Sequence, residues 1–223
     1  MLVRGFPAAA FGTNCWVVAP AAGEQCVVID PGIGVEPQLD EVLREHRLQP
    51  VAVLLTHGHL DHTFSVTPVC GAKGIPAWIH PADRELLADP MKGLSVESRT
   101  MFGGKLEWTE PSDVKLLGSE PIELAGLTFS TDFAPGHTPG SVVFESSSTL
   151  FSGDVLFAGS IGRTDLPGGS WEQMQESLAR VILPRDDEMV VHTGHGPSTT
   201  IGRERASNPF LQDLAQAPPS RGL

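Results

Sequence analysis

Four metal-ligand side chains fall within six residues in Thr56-His57-Gly58-His59-Leu60-Asp61-His62, a His-x-His-x-Asp-His block. Three more follow: His137 in Pro135-Gly136-His137-Thr138, Asp154 in Ser152-Gly153-Asp154, and His195 in Gly194-His195-Gly196. Five imidazoles and two carboxylates exceed what one ion needs and suit two ions that share a ligand. His57 and His59 sit two apart, so an extended backbone can aim both rings at one ion. Asp61 and His62 are adjacent, so their side chains diverge toward a second. The natural assignment gives one ion His57, His59 and His137, and the other Asp61, His62 and His195. Asp154 bridges, because a carboxylate offers two oxygens. Two such ions acidify a bridging water to a pKa near or below about 7, which supplies hydroxide as nucleophile at neutral pH. Asp61 can also orient that hydroxide. The set contains no thiolate, which argues against a closed structural zinc site. Nitrogen and oxygen donors suit Zn²⁺, and Fe²⁺ or Mn²⁺ are compatible. His46, His80 and His192 stand outside this pattern and read as ordinary surface or core residues.

A ligand block needs a rigid support. Residues 51–55, Val-Ala-Val-Leu-Leu, are continuously apolar, as expected of a strand buried on both faces, and the block follows directly. Strands are expected at 2–6, 15–18, 25–30, 76–80, 122–124, 127–133, 141–145, 150–152 and 189–192. A helix is expected around Val35, Leu39, Val42 and Leu43, and another begins near Asp61-His62. Ser170 and Gln173 form a capping box before the apolar stripe Trp171, Met174, Leu178, Val181, Ile182, which reads as core. Region 89–113, with Met91, Met101, Phe102 and Trp108, lacks periodicity and reads either as a lid or substrate wall or as a packed excursion. Residues 1–215 are expected to form a single α/β domain and 216–223 a flexible tail.

The 223 residues include 27 acidic and 15 basic ones, a formal net charge of −12. With no basic run, that balance disfavours a nucleic-acid partner. No apolar stretch is long enough to span a membrane, and the N-terminus reads as a first strand rather than a secretion signal. Cys15, Cys26 and Cys70 are odd in number and form no CxxC pair, as expected of reduced core residues in the cytoplasm.

Together the ligand motifs, Val28-Ile29-Asp30-Pro31-Gly32, Gly196-Pro197-Ser198-Thr199-Thr200 and the segment 201–211 resemble the metallo-β-lactamase-fold hydrolases. Within them the chain is most similar to the glyoxalase II-like branch, the hydroxyacylglutathione hydrolases, in their short single-domain form. The resemblance implies an αββα sandwich of two mixed sheets flanked by helices, two metals (zinc first) and a small-molecule thioester substrate. The two-domain members use a Lys in the loop after the bridging Asp, and two tyrosines. Here Arg163 occupies the Lys position, Asp165 and Pro197 the Tyr positions, and the chain has no tyrosine. Arg163 could clamp a substrate carboxylate bidentately, or it could pair with Asp165 in a buried brace of the loop. The expected function is hydrolysis of S-acylglutathione or an analogous conjugate of a low-molecular-weight thiol. The alternative is a mononuclear iron persulfide dioxygenase, a related type that also carries the Gly162-Arg163-Thr164-Asp165 sequence. β-Lactam hydrolysis, tRNA processing and a catalytically inactive binding module fit the sequence less well.

Overall fold

The expected buried strand is β4 (Gln49–Leu54) of the computed structural model, which describes residues 1–101 and 107–216. It sits in a six-stranded sheet with β1 (Leu2–Pro7), β2 (Asn14–Ala19), β3 (Gln25–Ile29), β5 (Ala77–Ile79) and β6 (Val114–Leu116), ordered β1 to β6. β3, β4, β5 and β6 run parallel, while β1 and β2 are antiparallel to their neighbours. Ala52, Val53 and Leu54 are fully buried because both faces of the sheet are covered. Val17, Val28 and Val53 point outward onto Leu39 and Leu43 of α1 (Glu36–His46). After β4 the chain makes one helical turn, α2 (Leu60–Thr63), then α3 (Val66–Lys73), whose Val69 and Cys70 join the same outer layer.

Residues 81–101 are more ordered than their sequence suggests. A 3₁₀ turn (Pro81–Asp83) leads into α4 (Arg84–Ala88), a second 3₁₀ turn (Pro90–Gly93) and α5 (Val96–Met101). These pieces are too short to show a 3.6-residue period in the sequence. Trp108 packs against the same outer layer as α1 and α3, its indole donating to Leu87 O at 2.8 Å. Phe102 lies outside the described residues, as do positions 217–223 of the expected tail.

The second sheet is ordered β12 (Thr199–Thr200), β11 (Val190–Thr193), β10 (Thr149–Gly153), β9 (Val142–Ser146), β8 (Leu127–Phe133), β7 (Ile122–Leu124). Only β10 and β11 pair in parallel. Between the sheets, Val18, Val27, Ile29 and Leu54 meet Phe129, Val142, Phe144 and Phe151. Outside the second sheet, Val143, Leu150 and Val191 pack on Met174, Leu178 and Ile201 of the helices α6 (Trp171–Ser177), the following π turn (Leu178–Ile182) and α7 (Ile201–Ser207). A last helix, α8 (Pro209–Gln216), adds Leu211. The layers run helix, sheet, sheet, helix, as the resemblance implied.

Two details depart from expectation at α6. Ser170 Oγ accepts from Gln173 N at 3.3 Å, but Ser170 N donates to Gly136 O, so the reciprocal half of the capping box is not made. Trp171 is 46% exposed, edge-on to Phe210, whereas Met174, Leu178, Val181 and Ile182 are core. Position 171 opens the helix, before the stripe turns fully inward.

Candidate metal centre

All seven candidate ligands converge where strand ends of the two sheets meet. The block follows β4, Asp154 follows β10, His195 follows β11, and His137 lies in the β8–β9 loop. Backbone bonds clamp this edge: Val142 N donates to Thr56 O at 2.8 Å, and Asn14 N to Gly194 O at 2.7 Å. Ligand atoms of His57, His59 and His137 group together, as do those of Asp61, His62 and His195. Asp154 stands between the groups. Its Oδ1 is 3.2 Å from His62 Nε2, and its Oδ2 is 3.5 Å from His137 Nε2 and 3.6 Å from His195 Nε2.

The surrounding hydrogen bonds fix which nitrogen faces inward. His62 Nδ1 donates to Asp30 Oδ2 at 3.0 Å. Thr56 Oγ1 donates to the same oxygen at 2.6 Å and, with its own lone pair, accepts from His57 Nδ1 at 3.1 Å. His137 Nδ1 donates to Arg163 O at 2.7 Å. Each of these rings therefore turns its Nε2 to the centre, the arrangement by which outer partners orient metal-binding imidazoles. His57 Nε2, His62 Nε2 and Asp154 Oδ1 are buried and make no hydrogen bond. The 3.2 Å His62–Asp154 approach lacks hydrogen-bond geometry, so it leaves both atoms unsatisfied. Such orphans are costly in a core and need an occupant. A cationic metal suits this donor set.

Charge distribution agrees. Burial, then the neighbouring His62 and His137, hold His57 far below the usual imidazole range, and burial with His137 takes His59 to about 3. For His62 burial also opposes the charge, but Asp154 and Asp61 outweigh it and raise the pKa well above normal. His195 behaves likewise, burial being overcome by a hydrogen bond to Asp61, 3.2 Å away, and by Asp154. Burial alone would raise Asp61 and Asp154, yet His62 holds both carboxyls below their ordinary value.

Sequence reasoning missed the supports. Thr13 Oγ1 donates to Asp61 Oδ2 at 2.9 Å. Asp83, fully buried, accepts from Gly58 N, Gly140 N and Thr138 Oγ1 at 2.8, 2.6 and 2.7 Å, tying the block to the His137 loop. Asp30 had a signal: an acid ending a buried strand before Pro31-Gly32. Asp83 and Thr13 had none. His46, His80 and His192 lie outside the cluster, as expected; His80 caps Ala82 N and His192 stacks on Trp16.

The cluster floors a cleft of about 590 Å³ walled by Phe11, Leu94, Phe157, Ile161 and Leu166, with Ser98, Ser160 and Arg163. Arg163 pairs with Asp165 through Nε–Oδ1 and Nη2–Oδ2 contacts, both 2.7 Å. The pair that one of the two readings invoked therefore forms, but it is exposed, 60% and 68%, and not buried.

The family model described as "Metallo-beta-lactamase superfamily" matches residues 8–195. The chain belongs to that superfamily. Relatives within or beside it include hydroxyacylglutathione hydrolase GloC of Haemophilus influenzae, 34% identical over 95% of this chain and 98% of that protein. Probable metallo-hydrolase YqgX of Bacillus subtilis is 35% identical over 86% and 90%. Among solved structures, BLEG-1 B3 metallo-beta-lactamase superposes with a TM-score of 0.84 at 38% identity, covering 94% of this chain and 99% of that one. TTHA1623 in a di-iron-bound form gives 0.79 at 36%, covering 93% and 100%. The superfamily thus accounts for the αββα layers, and the His/Asp groups are suited to metal binding.

Proposed function

We propose that this protein hydrolyses thioesters of low-molecular-weight thiols, S-acylglutathione or an analogous conjugate, at a two-metal centre. The observation that carries this reading is Asp154, which stands between the two ligand groups with Oδ1 beside His62 Nε2 and Oδ2 beside both His137 Nε2 and His195 Nε2, next to the buried Nε2 atoms of His57 and His62 that make no hydrogen bond. His57, His59 and His137 would hold one ion, Asp61, His62 and His195 the other, and Asp154 both. Zinc is the first candidate; the related di-iron structure keeps iron in view, and manganese suits the same donors. Bound there, the ions would supply Lewis acidity and lower the pKa of a water.

The chain's own residues do the rest. Asp30, Thr56 and the Arg163 carbonyl hold the rings in one tautomer and orientation. Asp61 accepts a hydrogen bond from the attacking water and keeps its lone pair aimed at the thioester carbonyl. The water oxygen bonds to the acyl carbon, the C–S bond breaks, and the thiolate takes up the proton the water released. Arg163, at the cleft, binds a carboxylate of the thiol carrier. The likeness to GloC, a hydroxyacylglutathione hydrolase, supports the substrate class. A second reading, β-lactam hydrolysis, rests on the likeness to BLEG-1.

Metal analysis with paired substrates tests this. Two metals per chain and faster turnover of S-lactoylglutathione than of a β-lactam are expected. In Asp154→Ala at least one metal should be lost and thioester hydrolysis should fall by roughly a hundredfold or more, with the fold kept. One iron per chain and oxygen-consuming persulfide oxidation would instead establish the dioxygenase alternative. Full metal content with near-normal turnover in Asp154→Ala would refute the shared-ligand site.

A further inference from the structure

The floor of the cleft is polar, but its walls are not. Phe11, Leu94, Phe157 and Leu166 come from four different stretches of chain and face one space. Phe11 is the most telling of them. It is 72% exposed, and its backbone is held at φ +62, followed by Gly12 at φ +67. A bulky residue in the left-handed region is strained and persists where surrounding structure enforces it, often at ligand clamps. Here a tight turn enforces it: Ala8 N donates to Thr13 O at 2.7 Å, and Thr13 in turn anchors Asp61. The turn thus ties an exposed aromatic ring to the metal-ligand floor.

Two other walls are anchored to ligands as well. The Phe157 ring stands edge-on to His195, centroids 5.9 Å apart. Gly93 packs so closely on His59 that a Cβ would lie 2.9 Å from the ring, which brings the following Leu94 to the rim. Among the described residues lining the cleft, Arg163 is the only lysine or arginine, and Asp165 already occupies two of its N–H directions. Ser98 and Ser160 are the remaining polar wall residues. A polar acyl group would lose water here and find few partners, whereas an apolar one gains from burial.

We propose that the acyl group of the substrate is apolar, an aliphatic or aromatic chain held against Phe11, Leu94, Phe157 and Leu166. This rests on the thioester-hydrolase reading and narrows it. A small hydroxyacyl group such as lactoyl leaves this wall unused.

Binding and turnover together test it on the full-length chain. S-Hexylglutathione and S-methylglutathione are thioethers and cannot be hydrolysed, so their dissociation constants report the wall directly. Calorimetry should find the hexyl compound bound at least about tenfold more tightly, as several buried methylenes require. Phe11→Ala and Leu166→Ala, both at accessible positions, should each cut that ratio by roughly threefold or more. Equal affinities, or a ratio unmoved in both variants, would overturn the proposal. The matching thioesters separate the two levels of inference. Hexanoyl should exceed lactoyl in kcat/KM. Hydrolysis without acyl discrimination overturns the apolar assignment and leaves the hydrolase standing. A binding preference with neither thioester turned over overturns the hydrolase reading, and the acyl assignment with it.

Discussion

The Arg163–Asp165 pair shows how one side chain can be read two ways until its surroundings are known. From sequence, a carboxylate clamp and a buried brace had equal claims. Exposure of both groups weakens the brace, because solvent-screened pairs contribute little to stability. The pairing also constrains the clamp: Nε and one N–H of Nη2 are taken, leaving the end-on face of Nη1 and Nη2 for a substrate carboxylate unless Asp165 yields. Arg163→Ala should therefore raise KM for S-lactoylglutathione by roughly tenfold with little change in kcat, since such a contact is made equally in ground and transition states. Asp165→Ala should leave the unfolding temperature almost unchanged and lower KM for the same substrate. Steady-state kinetics on both variants decide it, and a joint loss of kcat and stability in each would restore the bracing role. At this scale the sequence was readable where chemistry needs neighbours. His57, His59, Asp61 and His62 sit within one turn of chain, and motif glycines mark His137, Asp154 and His195. Asp30, Asp83 and Thr13 act on partners 25 to 57 positions away, and no local spacing encodes that.

At the scale of elements, the strands β3 and β4, buried on both faces, announce themselves by unbroken apolar runs. The short helical pieces between β5 and β6 do not, although they complete the site. Their function is concentrated in Asp83, which ends the first 3₁₀ turn and accepts hydrogen bonds from two separate loops. Burial pushes its carboxyl upward, partly countered by those three donors. Gly140 must stay bare for this contact, as a Cβ would meet Asp83 at 2.6 Å. Removing the acceptor strands two buried N–H groups, each worth about 1–3 kcal/mol. Asp83→Ala should thus destabilise the fold by about 3 kcal/mol, a drop in unfolding temperature of roughly 10 °C for a chain of this size. Because His57 and His137 belong to the loops it joins, metal affinity should fall as well. Calorimetric unfolding and metal titration of the variant measure both, and a change in neither would show that the loops hold themselves. Glu204 of α7 plays a similar part on the other side, binding Gly159 N, Thr199 Oγ1 and Asn208 Nδ2. The closing helices thereby support the loop that carries Phe157 and Arg163, a dependence that 201–211 alone could not reveal.

For the molecule as a whole, a net charge of −12 surrounds a site built to receive cations, and no helix among the described residues is long and apolar enough to cross a membrane. The histidines whose ionisation is displaced fall into two populations with opposite consequences for stability. His57, His59 (about 3) and His192 (about 4) are held low by burial. As pH falls through about 6.5, the unfolded chain takes up protons at these positions and the folded chain does not, so stability declines on acidification. His62 and His195 are raised, chiefly by Asp154 and Asp61, against the effect of burial. Their contribution is fully present below about 6.5 and is lost as pH rises through their folded values. The two trends meet. Chelator-treated protein should therefore unfold at its highest temperature near pH 6.5 and at lower temperatures on either side. Metal loading should abolish the alkaline decline, because ions bind the deprotonated ligands and stabilise the native state by mass action. Unfolding temperatures from pH 4.5 to 9, with and without chelator, should then diverge progressively above neutrality. A chelated protein with a flat profile, or one that gains stability steadily into the alkaline range, would mean that Asp61 and Asp154 do not hold His62 and His195 in their charged forms when the metals are gone.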